Sequence, residues 1–155
     1  MNKYYLVFLG LIFFSCDNDI VYKCTGDARD IPTKNISELI DGFNNKLEIN
    51  NETFVLKIDG NQIEVQNEKW VYQAFLNDLN LDELFYLPRK GKGFMVITIR
   101  TKNGQDNVSI NSISNKTDKR IKDNHILISI YPESLGYEIL GDLCEIFQLL
   151  KNRKH

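Results

Sequence analysis

The stretch EKWVYQAFLNDLNLDELFYL, residues 68–87, decides the architecture of this chain, because strand-like segments stand on both sides of it. Trp70, Ala74 and Leu76, with Val71, Phe75 and Leu79, make a broad apolar face, and the spacing predicts a helix. The NLDELF portion that follows predicts a second, short helix capped by Asn80. With a helix here, two strands precede it and three follow.

Working outward, TFVLKIDGNQIEV (53–65) predicts a β-hairpin. Phe54, Leu56 and Ile58 share one face of its first strand, Ile63 and Val65 one face of its second, and Asp59-Gly60-Asn61 supply turn chemistry. Upstream, NISELIDGFNNKL (35–47) sets Ile36, Leu39, Ile40, Phe43 and Leu47 on one helical stripe, with Asn35 as cap and Glu38 completing a capping-box pattern. Downstream, Pro88 and the loop RKGKG lead into FMVITIRTKNGQDNVSINSI (94–113), which predicts a second hairpin turned near Lys102-Asn103-Gly104. Met95, Ile97 and Ile99 occupy one face of its first strand and Phe94 and Val96 the other, as in a central strand. The polar stretch 114–124 reads as an exposed loop, and HILISIY (125–131) as a fifth strand with Ile126, Ile128 and Ile130 together. Pro132 starts a last helix whose stripe is Leu135, Ile139, Leu143, Ile146, Phe147 and Leu150.

The expected order is α-β-β-α-β-β-β-α: an α+β, two-layer domain of about five mostly antiparallel strands backed by helices. That order is similar to the roadblock and longin-like topologies, an analogy of element order that carries no function with it.

The chain begins MNKYYLVFLGLIFFSCDND. Lys3 precedes an uncharged apolar run, residues 4–14, that as a helix would be roughly 16 Å long, about half of a ~30 Å hydrocarbon core. This is the pattern of a secretory signal. Its end, Phe13-Phe14-Ser15-Cys16, resembles the lipobox of bacterial lipoprotein signal peptides, although an aliphatic residue is usual three places before the cysteine. The resemblance covers about twenty residues. It implies cleavage after Ser15, acylation of Cys16, and a membrane-anchored lipoprotein of the bacterial cell envelope. The alternative is an ordinary secreted protein with Cys16 an incidental thiol. The expected organisation is therefore signal peptide 1–15, acylated cysteine and tether 16–33, and one α+β domain 34–155.

Losing residues 1–15, whose one charged residue is Lys3, takes the formal charge from −2 to −3. A mildly acidic chain without a basic stripe argues against nucleic acid as a partner. Beyond Cys16 only Cys24 and Cys144 remain, and in an exported chain they either form a disulfide or stay as two buried thiols.

Chemistry is sparse. The two histidines, His125 and His155, stand in no metal-ligand or nucleophile spacing, so no catalytic residue, metal or cofactor is assigned. Arg89, Lys90 and Lys92, with Gly91 and Gly93, form a loop able to present cations to an anion or a partner, or simply a solvated link. Asp78, Asp82 and Glu83 cluster in sequence, as do Glu64 and Glu68, and either group could supply a carboxylate pair or simply a solvated face or cap. Three functions fit these residues. The first is a lipid-anchored module that binds another protein, one form being an immunity-type inhibitor. The second is a cell-wall or glycan-acting enzyme using a carboxylate pair, and the third an accessory subunit of an envelope complex.

Overall fold

A computed structural model of the chain describes residues 19–24, 35–89, 91–114 and 121–152. Ser15, Cys16 and Lys90, singled out from the sequence, lie outside these residues. The described residues form two helices, α1 (Ile36–Ile49) and α2 (Glu133–Asn152), and nine strands: β1 (Ile20–Lys23), β2 (Val55–Asp59), β3 (Gln62–Gln66), β4 (Trp70–Phe75), β5 (Glu83–Arg89), β6 (Phe94–Arg100), β7 (Val108–Ser112), β8 (Ile121–Asp123) and β9 (His125–Ile130). The strands build two antiparallel sheets, ordered β1-β5-β6-β9 (sheet A) and β2-β3-β4-β7-β8 (sheet B). The result is an α+β two-layer fold.

The class is as expected, and the stretch that was to decide the topology is not helical. Residues 68–87 hold β4 and β5. Trp70, Tyr72, Ala74 and Leu76 recur every second residue, and in β4 Tyr72 and Ala74 turn inward while Phe75 points to solvent. The aromatic and β-branched residues at 70–72 favour that extended form. They also find partners on both sides, Tyr72 opposite Val65 of β3 and opposite Ile110 of β7. Asn80 does bind the backbone two residues on, accepting from Asp82 N at 3.1 Å, but this bond starts a turn into β5 rather than a helix. The α-β-β-α-β-β-β-α order, and with it the likeness to roadblock and longin-like chains, therefore does not describe this fold.

The second expected hairpin is also divided. β6 and β7 exist, with Lys102–Gly104 as a turn of 3-10 helix between them, yet they never pair. β6 takes β5 and β9 as neighbours, and β7 takes β4 and β8. A strand apolar on both faces gains most from a central place in a sheet. The polar stretch expected as a loop contains β8, and Ile20–Lys23, inside the expected tether, is an edge strand of sheet A.

The sheets meet at a corner. Only Asn124 separates β8 in sheet B from β9 in sheet A. Asn80 N donates to Arg100 O at 2.9 Å, Lys102 N to Asp78 O at 2.7 Å and Thr101 N to Asn124 O at 2.8 Å, so the bend keeps its backbone groups paired. The apolar stripe of α2, Leu135 to Leu150, is buried against Leu84, Met95, Ile97, Ile99, Ile126, Ile128 and Ile130 of sheet A, in one core with Phe43 and Leu47 of α1. Gly136 permits the closest approach: a Cβ there would stand 2.8 Å from Met95 Sδ. Cys24 and Cys144 are joined as a disulfide, fastening the end of β1 to α2.

Candidate functional site

Sheet A is covered by α2 on one face, and its other face holds an open cleft of about 660 Å³. The cleft follows from the two-sided sequence of β6. While Met95, Ile97 and Ile99 enter the core, Val96, Thr98 and Arg100 face outward beside Leu87 and Arg89 of β5 and His125, Leu127 and Ser129 of β9. Antiparallel register brings these residues into rows across the strands. Val21, Phe85, Thr98 and Leu127 form one, and Leu87, Val96 and Ser129 the next. The centre mixes apolar and polar side chains, Leu87, Val96 and Leu127 with Thr98 and Ser129, and Leu127 is 36 % exposed.

Ionic groups bound this centre. The guanidinium of Arg100 lies 3.8 Å from the centroid of the Phe85 ring and bonds Asp19, which holds the segment before β1 onto the sheet. His125 Nδ1 is 2.9 Å from Asp123 Oδ1 and 2.8 Å from Asn124 Oδ1. Arg89 stands at the other end, opposite Phe94, six residues from Arg100 along β6, so about 20 Å separates the two arginines' backbone positions. They are two ends of a trough rather than one anion pocket. His125 and Ser129 are four strand residues apart, about 13 Å, too far for a nucleophile and its base.

Of the residues singled out from sequence, Arg89 lines the cleft and Lys92 sits in the turn between β5 and β6, its N–H bonded to Arg89 O at 2.9 Å. Lys92 and its flanking glycines thus lie between two paired strands, with Gly91 and Gly93 at positive φ. Of the carboxylates considered as pairs, Glu64 and Asp82 are engaged elsewhere. On the outer face of sheet B, Glu64 accepts from Gln73 Nε2 at 2.8 Å and from Lys57 Nζ at 3.2 Å, and its carboxyl is lowered chiefly by the Gln73 bond. Asp82 bonds Lys151 at the end of α2. A second cleft, about 590 Å³, opens between α1 and the β2–β3 hairpin, with Asp41, Asn44 and Lys57 among its polar groups. A third, about 380 Å³, lies between the helices and is lined by Glu38, Asp142, Glu145 and Lys46. There Lys46 donates to Asp142 at 2.6 Å, and that bond, against the opposing effect of burial, raises its amine.

Among the described residues no group of three or more His, Cys, Asp or Glu side chains is arranged to hold a metal ion, and no helix is long and apolar enough to cross a membrane. Sequence reading passed over Arg100, Phe85 and Leu127. The signal for them was present in the second apolar face of β6, which implied something to be covered there. No protein-family model matches the chain, no curated protein matches it and no solved structure matches it.

Proposed function

We propose that this chain is a lipid-anchored protein of the bacterial cell envelope, held by Cys16, that binds another protein through the outer face of sheet A. An immunity-type inhibitor of a secreted toxin is one form such a module takes. The observation that carries the binding face is the cleft just described. The cleft mixes apolar side chains, Leu87, Val96 and Leu127, with Thr98 and Ser129, and Asp19, Arg89, Arg100 and His125 rim it. A mixed, uncharged centre inside a charged rim is the ordinary anatomy of a protein interface. The face measures about 20 Å along the strands and about 14 Å across them, enough for the centre of a standard interface.

The test uses the full chain in its own membranes. Partners of the parent are compared with those of Leu127→Arg and Val96→Arg, with Phe75→Arg on sheet B as the control. A stoichiometric protein kept by Phe75→Arg and lost by both outer-face variants, at unchanged thermal stability, is the expected result. A partner kept by all three moves the interface elsewhere. No stoichiometric partner for the parent overturns the interaction reading.

A further inference from the structure

Each sheet ends in two edge strands, β1 and β9 in sheet A and β2 and β8 in sheet B. An edge carries a row of N–H and C=O groups that can pair with another chain unless something blocks them. On β2, Asn44 of α1 occupies both free groups of Leu56. β1 has four residues and β8 three, and each carries a lysine, Lys23 and Lys122. β9 is the longest, with six residues, and its sequence HILISI holds no lysine, proline or carboxylate.

The register shows which groups of β9 are free. Its pairing with β6 is unbroken from Ile130 opposite Met95 to His125 opposite Arg100, and one step further Thr101 N donates to Asn124 O. Bonds in an antiparallel ladder alternate. Ile126, Ile128 and Ile130 therefore bond β6, while the backbone groups of His125, Leu127 and Ser129 point away from it. Among the described residues, nothing bonds those of Leu127 and Ser129. Both ends of this open stretch are closed. Tyr131 N donates to Glu52, and at Asn124 the chain turns into sheet B. Residues 125–129 remain, with Leu127 at their midpoint.

That stretch is complementary to itself. A two-fold axis through Leu127 sets Leu127 against Leu127 of a second copy, Ile126 against Ile128 and His125 against Ser129. Apolar residues meet apolar ones, polar meet polar, and no like charges are opposed. The three outward-facing pairs can form about six N–H···O bonds. We infer that β9 joins a second copy of this chain by antiparallel strand addition centred on Leu127, extending sheet A from four strands to eight.

The axis stands perpendicular to the sheet, so the outer faces of the two copies lie side by side on one surface. Four strands give that face roughly 300 Å², short of the ~800 Å² each partner buries in a standard interface, and eight give roughly 700 Å². The contact between two five-residue stretches is itself smaller than a standard interface, so the dimer is reversible and grows with concentration. Pairing at β9 requires neither the anchor nor the partner proposed above, and its test involves neither.

The full chain is purified in density-matched detergent and followed by sedimentation equilibrium over a range of concentrations. A monomer–dimer equilibrium is expected. As the dimer forms, the amides of Leu127 and Ser129 gain protection from hydrogen exchange, while those of Ile126 and Ile128, held by β6, do not change. Ser129→Pro removes an outward N–H and leaves the bonds to β6 in place, and it should weaken dimerisation at least about ten-fold. Leu127→Cys tests the axis. Facing Cα atoms in such a pair stand about 5.5 Å apart, within disulfide range, so oxidation should link two copies through position 127, well above the background of the parent and of Phe75→Cys. A chain that stays monomeric throughout overturns the inference. So does a dimer that leaves the Leu127 and Ser129 amides unprotected and is not linked through position 127, whether or not Ser129→Pro still folds.

Discussion

The side-chain amide of Asn44 on α1 pairs with both backbone groups of Leu56: Nδ2 donates to Leu56 O at 2.8 Å, and Leu56 N donates to Oδ1 at 2.8 Å. β2 is an edge of sheet B, and at Leu56 its free N–H and C=O face away from β3. Asn44 thus takes the place of a neighbouring strand at Leu56, one of the residues where an incoming chain could pair.

Asn44→Ala leaves both groups without that partner in a half-buried setting. We expect a loss of about 1–3 kcal/mol in urea unfolding, with self-association at high concentration by light scattering. A variant as stable and as monodisperse as the parent would show that water replaces the amide without cost.

The Cys24–Cys144 disulfide closes a separation of 120 residues. The chain-entropy estimate for such a loop is roughly 4–5 kcal/mol, and reduction is expected to lower stability by up to that amount. β1 is a four-residue edge strand paired with β5 alone, so it should lose amide protection first. Hydrogen exchange under reducing and non-reducing conditions reads this directly, and equal protection of Ile20–Lys23 in both would refute it.

Gly136→Ala sets two effects against each other. Alanine favours the helix by about 1 kcal/mol. Its Cβ, however, would lie 2.8 Å from Met95 Sδ and 2.9 Å from Met95 Cβ, and a side chain forced into a filled core costs about 1–3 kcal/mol. The near contact with Met95 Cβ cannot be relieved by a rotamer change, so net destabilisation is expected. Adding Met95→Ala to Gly136→Ala should then cost less than the sum of the two single changes. Strict additivity in thermal unfolding would mean that the contact is not the cause.

Two carboxyls give opposite pH signatures. Burial raises Glu52, opposed by the N–H that Tyr131 donates to it, whereas Glu64 is lowered, first by Gln73. A carboxyl raised on folding contributes most below its unfolded value, about 4.3, and that contribution is lost as pH rises through the folded value. A carboxyl lowered on folding contributes above about 4.3 and loses its contribution as pH falls through the folded value. Glu52→Gln should therefore raise stability at pH 7 relative to pH 4, and Glu64→Gln should lower it. Chemical unfolding at the two pH values decides, and shifts of the same sign in both variants would contradict the assignment.

Much of the local structure was legible in the residues. α1 with its Asn35 cap, the β2–β3 hairpin, β6, β9 and α2 stand where their periodicity put them, because each has one face that must leave water and a turn or cap that ends it. Residues 68–87 misled because Val71, Phe75 and Leu79 are spaced as on a helix, while Trp70, Tyr72, Ala74 and Leu76 are spaced as on a strand. Within the segment, the strand preference of Trp70, Val71 and Tyr72 is too small to rank the two patterns. Backbone partners do, and β3 and β7 supply them from elsewhere in the chain.

By itself, then, the sequence determined the α+β class, the apolar faces of its clearest elements and the residues able to bond, Cys24 and Cys144 among them. Only the tertiary structure decided that β6 and β7 part into different sheets, that Asn44 guards Leu56, and that Arg89, Arg100, His125 and Leu127 share one outer face. Periodicity reports which side of an element avoids water. Which element covers that side, and which face is left open for a partner, depends on hydrogen bonds and packing between residues far apart in the chain.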